Sequence, residues 1–221
     1  MNAYLRVVKQ NWLVAWQNKV FKQNLFVGLI LLVVTMIFTS YFFNYIENTK
    51  SGIVLNDWIL QRIPALDASV FIVTLMGSAI FLFSIRAIAN PNIFITFLFA
   101  LVLQLTTRII TISITEFFPP RGLIVLRDPM GSLLYQSRFI TRDLFYSGHT
   151  AIICLLYFCS FNKRDKYYFL LTAVCVGLLL LIQHVHYTID VVCAPLFAFG
   201  GFWLSKKILI SQNAYIEGIQ Q

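Results

Sequence analysis

Long apolar runs separated by short polar breaks organise this chain, and the runs are too long for the core helices of a soluble domain. The first run extends from Asn24 to about Tyr45 and is followed by a polar stretch holding Glu47, Lys50, Asp57, Arg62 and Asp67. The second, Val70 to Ala89, closes on the turn signal Asn90-Pro91-Asn92, and the third covers Ile93 to about Thr115. The longest loop then opens with Pro119-Pro120-Arg121-Gly122 and continues to Arg142. A fourth run spans Phe145 to about Phe161 and ends on the charged turn 162–166. The fifth and sixth extend from Tyr167 to Gln183 and from Tyr187 to about Leu204. Crossing a bilayer takes roughly 20 predominantly apolar residues. The pattern therefore predicts an all-α, polytopic membrane protein of six transmembrane helices, with a partly structured third loop over one end. No repeat or linker divides it, so residues 1–221 read as a single domain. The first 23 residues lack a continuous apolar stretch. Trp12, Trp16 and the neighbouring lysines mark them as a cytoplasmic interfacial segment rather than a cleaved signal peptide.

Composition sharpens this. Of 221 residues, 59% are hydrophobic and 12% charged, about half the charged share of a soluble domain. The net charge of +8 comes from short clusters between apolar runs, with no basic stripe interleaved with aromatics. Nucleic acid is thereby excluded as a partner, and anionic lipid fits better. Cys154, Cys159, Cys175 and Cys193 all fall inside apolar runs without CxxC pairing, which predicts packing residues. With six spans, both termini share one side with Arg6, Lys9, Lys19, Lys22, Arg86, Lys163, Arg164, Lys166, Lys206 and Lys207. Lys50, Arg62, Arg121, Arg127, Arg138 and Arg142 fall opposite. The excess places the termini in the cytoplasm and the third loop on the exoplasmic face, periplasmic or lumenal.

The three histidines carry the candidate chemistry. His149 lies in Asp143-Leu144-Phe145-Tyr146-Ser147-Gly148-His149-Thr150, and the others lie in His184-Val185-His186-Tyr187-Thr188-Ile189-Asp190. The fourth span leaves the outer face and the fifth returns to it, so helix parity brings His149 and His186 to one end. A nucleophilic imidazole can open a phosphoester through a phosphohistidine while a second imidazole serves the leaving and attacking oxygens. On a continuous helical turn, Asp190 stands on the same face as His186 and can fix its tautomer. Ser147 and Gly148 introduce a helix whose N-terminal amides suit an anion. His184 and His186, two positions apart, point to opposite faces of a helix and form a poor metal pair. His184 reads as an interfacial polar cap. No metal or cofactor is expected.

Ser-Gly-His-Thr followed by His-Tyr-Thr-x-Asp-Val resembles the sphingomyelin synthase-related branch of the type 2 phosphatidic acid phosphatase superfamily. The similarity covers residues 107–194. Asp143, Ser147, Gly148, His149 and Thr150 match the synthase third motif; His186, Tyr187, Thr188, Asp190 and Val191 match the fourth. The resemblance implies His186 as nucleophile, Asp190 as its partner and His149 as second catalytic imidazole. It implies a type 2 phosphatidic acid phosphatase-like core and transfer of a phosphorylated headgroup from a phospholipid donor to a ceramide- or diacylglycerol-like acceptor. Hydrolysis of a lipid phosphate is the alternative, and a non-enzymatic transporter or scaffold the third reading. Homo-oligomerisation stays open.

The chain departs from both branches. Thr141-Arg142 stands where the synthases carry Cys-Gly, only Arg108-Ile109-Ile110-Thr111 remains of their second motif, and Pro64-Ala65-Leu66-Asp67 of their first. Tyr146 replaces the phosphatase proline, and the phosphatase Arg-Pro and Ser-Arg signatures are missing. Arg108 lies about two turns inside the third span, where an unpaired charge costs ~2.5–3.5 kcal/mol. It is a candidate phosphate ligand from below, against snorkelling to the interface. Arg142, with Arg121, Arg127 and Arg138, is a candidate clamp from the loop. Asp143 either orients a site group or caps the fourth helix, Glu116 is a weaker candidate, and Tyr187 joins the substrate-binding set through its motif. The orientation is checkable: Ser137→Cys should react with an impermeant thiol reagent in intact cells and Asn162→Cys should not. The reverse result overturns it.

Overall fold

The computed structural model describes residues 2–48, 52–115, 117–129, 140–217 and 219. Glu116, Lys50, Ser137 and Arg138 lie outside the described residues. Among the described residues, seven helices follow in order: α1 Asn2–Gln17, α2 Lys19–Glu47, α3 Ser69–Ala89, α4 Pro91–Thr115, α5 Gly148–Cys159, α6 Lys163–Ile182 and α7 Thr188–Ser211. A short 3-10 turn, Leu60–Arg62, interrupts the connection between α2 and α3.

Helix boundaries follow local chemistry more than hydropathy. Asn18 is extended, and its side-chain oxygen accepts from the Phe21 amide, which ends α1 and starts α2 one turn earlier than the apolar run. Asn162 caps α6 in the same way, so the charged turn expected after the fourth span is largely the first turn of the next helix. Pro91 occupies the first position of α4, where a missing N–H costs nothing. The final helix runs on past Lys206 and Lys207 to Ser211.

Helix α1 is clamped across the C-terminal end of α3. Asn11 Nδ2 donates to the Ala89 carbonyl at 3.2 Å and Trp12 Nε1 to Ile88 at 2.7 Å. These bonds satisfy terminal carbonyls that have no intrahelical partner. Beyond α7 the chain turns back, and Asn92 brackets Ile216, donating to its carbonyl at 2.7 Å and accepting from its amide at 2.9 Å. Ala15, Phe21, Leu25, Ile95, Leu98, Leu209, Ala214 and Ile216 close this end as one apolar cluster.

Helix α4 is the central element. It packs on α2 to one side and on α5 and α7 to the other, while α6 packs on α3 and α5. Gly28 lets α2 approach: a β-carbon there would lie 2.8 Å from Leu98 Cδ2 and 2.9 Å from Phe99 Cε2.

Among the described residues, five helices, α2, α3, α4, α6 and α7, are long and apolar enough to cross a membrane. The expected fourth span differs. Helix α5 has 12 residues, about 18 Å at 1.5 Å per residue, too short by itself for a hydrocarbon core about 30 Å thick. Its start is set by Phe145 and Tyr146, whose φ of 75° and 59° put both in the left-handed region where a helix cannot begin. Backbone outside a helix is tolerated at membrane depth only where protein satisfies it. Here it does: α5 is walled in, with Ala151, Ile153, Leu155 and Leu156 at most 1% exposed.

Gly28→Val should overpack the α2–α4 contact and cost about 1–3 kcal/mol. A thermal unfolding series in detergent reads this directly, and an unchanged midpoint would show that α2 does not bear on α4 there.

Candidate active site

The reversal between α6 and α7 places the second histidine pair. Gln183 ends α6, His184 takes a left-handed φ of 55°, and α7 begins at Thr188. His186 therefore precedes the helix rather than sitting within it, unlike the continuous turn expected from its spacing. Asp190, three residues after the capping residue Tyr187, reaches back as in a capping box. Its Oδ2 accepts from the Tyr187 amide at 3.0 Å and lies 3.3 Å from His186 Nδ1. Imidazole and carboxylate are both buried. His186 Nε2 has no partner among the described residues.

The same carboxylate holds the other motif. Asp190 Oδ1 accepts from the Phe145 amide at 3.2 Å, and the Asp190 carbonyl accepts from the Ser147 amide at 2.9 Å. Between them lies the left-handed pair Phe145–Tyr146, a conformation that costs of order 1–3 kcal/mol per residue. Arg108 Nη1 donates to the Tyr146 carbonyl at 3.0 Å. The Tyr146 ring stacks on Phe197 with centroids 4.3 Å apart, and its hydroxyl donates to the Gln104 carbonyl at 2.8 Å. Proline, whose ring fixes φ near −65°, cannot take this conformation, which gives the tyrosine at this position a physical reason.

Ser147 caps α5, its Oγ accepting from the Thr150 amide at 3.2 Å. The amides of Gly148 and His149 then open the helix with no intrahelical acceptor. Against them lies the Arg108 guanidinium: a β-carbon on Gly148 would stand 2.4 Å from Nη1 and 2.6 Å from Cζ. Only glycine permits that approach. Arg108 is buried and bonded to Asp143, so it does not snorkel to the interface. A guanidinium pressed on the positive end of a helix makes a concentrated anion-binding position.

The His149 and His186 rings approach edge-on, centroids 6.4 Å apart and planes at 61°. His149 Nε2 lies 3.3 Å from Asp128 Oδ2, while its Nδ1 is buried with no partner among the described residues. Each imidazole thus carries one carboxylate and keeps one nitrogen clear. Among the described residues, no three His, Cys, Asp or Glu side chains converge as a metal site.

Other candidates are placed elsewhere. Arg142 donates from Nη1 to the Ile46 carbonyl at 3.0 Å and lies over the Phe118 ring at 4.2 Å, bracing the end of α2. The Tyr187 hydroxyl donates to the Phe118 carbonyl at 2.9 Å and accepts from the Leu55 amide at 3.1 Å, joining two connections. The His184 ring lies between the carbonyls of Arg121 and Ile63, each 3.0 Å from a ring nitrogen. Arg127 meets Ser69 through its backbone amide.

Two carboxylates escaped sequence reasoning. Asp128 follows Arg127 in a loop with no spacing signal toward His149. Asp57, in the α2–α3 connection, accepts from the Thr188 amide at 2.6 Å and hydroxyl at 3.0 Å, and so anchors the start of α7. Burial pushes the Asp57 carboxyl up, but hydrogen bonds from Thr188, Leu60 and Ile59 outweigh it and hold it below its ordinary value.

Residues 142–207 match the family model described as PAP2 superfamily C-terminal, a stretch that contains both histidine motifs. Over that stretch the chain is similar to the PAP2 superfamily. No curated protein and no solved structure matches the chain.

Gly148→Ala should drive the Arg108 guanidinium off the α5 N-terminus. Phosphoester turnover is expected to fall by about a hundredfold, and the unfolding midpoint should fall with it, because the displaced guanidinium gives up its contacts with Asp143 and the Tyr146 carbonyl. Near-wild-type turnover in this variant would remove Arg108 from the anion site.

Proposed function

We propose that this protein is a membrane-embedded lipid phosphotransferase, moving a phosphorylated headgroup from a phospholipid to a ceramide- or diacylglycerol-like acceptor. The observation that carries this reading is the edge-on pair of imidazoles, each with its own carboxylate, set against a buried guanidinium and a helix N-terminus.

The steps follow from the atoms. Asp190 holds the His186 Nδ1–H, which directs the lone pair of Nε2 at phosphorus. Attack forms the N–P bond and breaks the bond from phosphorus to the leaving lipid oxygen, which takes a proton from His149. The same imidazole then accepts the proton of an incoming hydroxyl, whose oxygen attacks phosphorus and releases His186. Asp128 does for His149 what Asp190 does for His186, holding one ring nitrogen so that the other exchanges the proton. Arg108 and the Gly148 and His149 amides hold the non-bridging phosphoryl oxygens, and Ser147 keeps those amides aimed. Asp143 positions Arg108 from the far side. Tyr187 and Arg142 position the connections around the site instead of touching phosphate.

The reading takes the substrates from the membrane and places the site on the exoplasmic face. Hydrolysis uses the same first step, with water in the second. The family match speaks for this whole class and leaves the acceptor to be determined by products.

His186→Ala and Asp190→Asn should each abolish turnover while membrane insertion persists, and the double variant should be hardly worse than either. Full activity in either single variant sinks the mechanism. Mass-resolved products from mixed lipid donors, with and without ceramide, separate transfer from hydrolysis. Release of a free phosphorylated headgroup or inorganic phosphate in the presence of ceramide would replace the transferase reading with the phosphatase one.

A further inference from the structure

One arginine at the histidine end stands outside the site. Arg62 closes the 3-10 turn, and its Cζ lies 3.7 Å from the centroid of the Trp58 ring. None of its N–H donors meets an acceptor among the described residues. The indole is 63% exposed, and Ile53, Val54, Ile59 and Leu66 on the same connection are exposed with it. A cation, an aromatic ring and aliphatic side chains bared together at the end of a membrane bundle match the amphiphilic chemistry of the bilayer interface.

This turn is held in place. Asp57 Oδ1 accepts from the amides of Ile59 at 3.0 Å and Leu60 at 3.2 Å, while the same carboxylate takes the Thr188 amide and hydroxyl. Trp58 and Arg62 therefore stand on a support fixed to the first residue of α7, two positions beyond His186. Stacking on the indole orients the guanidinium and leaves its hydrogen-bonding edge open.

We propose that Trp58 and Arg62 form a docking position for one phospholipid of the adjoining leaflet. Arg62 takes the phosphate, and Trp58, Ile59 and Leu66 cover the glycerol and upper acyl region. A phospholipid is the occupant because free phosphate would satisfy the arginine and leave the aliphatic side chains bare. The docked lipid stands beside the start of α7. That it is the one next turned over rests on the function proposed above; the docking does not.

The test uses full-length protein in maltoside micelles, which contain no phosphate. With Trp12→Phe, Trp16→Phe and Trp203→Phe, Trp58 is the remaining tryptophan. Phospholipid carrying a headgroup nitroxide should quench its emission saturably, and Arg62→Gln should raise the half-saturating mole fraction about fivefold. Soluble glycerol phosphate should not protect. Quenching that ignores Arg62→Gln overturns the proposal, and protection by glycerol phosphate equal to that by phospholipid overturns the lipid as occupant. Should the triple variant fail to fold, Arg62→Gln in the natural chain decides. KM for a membrane donor should rise about fivefold, with kcat within about twofold. A fall in kcat at constant KM overturns the proposal. Absence of turnover in the unaltered protein would fell the proposed function, while the quenching still decides the docking.

Discussion

The histidine end of the molecule depends on one buried carboxylate. Asp190 receives His186, the Tyr187 amide and the Phe145 amide, and its own carbonyl receives Ser147. Through these bonds it starts α7, fixes the imidazole beside it, and holds the non-helical approach to α5. An unpaired carboxylate in that position would be strongly unfavourable. Three hydrogen-bonded groups on the carboxylate, with the Ser147 amide on the backbone carbonyl, turn the same residue into the joint between two motifs some forty residues apart in the chain.

Arg108 plays the complementary part from α4. A guanidinium two turns inside a membrane helix is tolerated because Asp143 and the Tyr146 carbonyl receive it and Gly148 leaves it room. In return it stabilises the left-handed pair that shortens α5. The site is thus sunk below the end of α4, with the non-helical chain from 140 to 147 filling the remaining depth. Membrane position and chemistry share one cause here: the segment that cannot be helical is the one that brings His149 to His186.

Around this joint the connections brace each other. Asp57 holds the start of α7, Tyr187 links residues 55 and 118, and His184 lies between residues 63 and 121. Gln183 adds bonds to Ala68, Ser69 and Ile124. Helix ends and loops carry backbone groups that neither lipid nor a dry core can satisfy. Polar side chains concentrated at the α6–α7 reversal answer that demand, which is why this end is polar, ordered and capable of chemistry.

Much of this was legible from residue order alone. The lengths of the apolar runs determined five of the membrane-length helices, since hydrophobic length tracks bilayer thickness. The parity of the crossings put Ser147-Gly148-His149 and His186–Asp190 at one end, and the spacing of His186 and Asp190 paired them even though the helix starts two residues later than that histidine. Asn18 and Asn162 could have corrected two boundaries, because a capping side chain acts within three residues. What tertiary structure alone decided depends on distant partners. Phe145 and Tyr146 turn left-handed only because Arg108 and Asp190 hold them there, so hydropathy read a full span where a short helix forms. Asp128 reaches His149, and Asp57 reaches Thr188, through loop closure that no local periodicity encodes. Arg142 and Tyr187 carry the right chemistry for substrate, but packing at the bundle end turns Arg142 Nη1 and the Tyr187 hydroxyl to backbone carbonyls. Local patterns fix which segments are helical and which side chains are polar; which polar groups meet is set by the cost of leaving any of them unpaired in a dry interior.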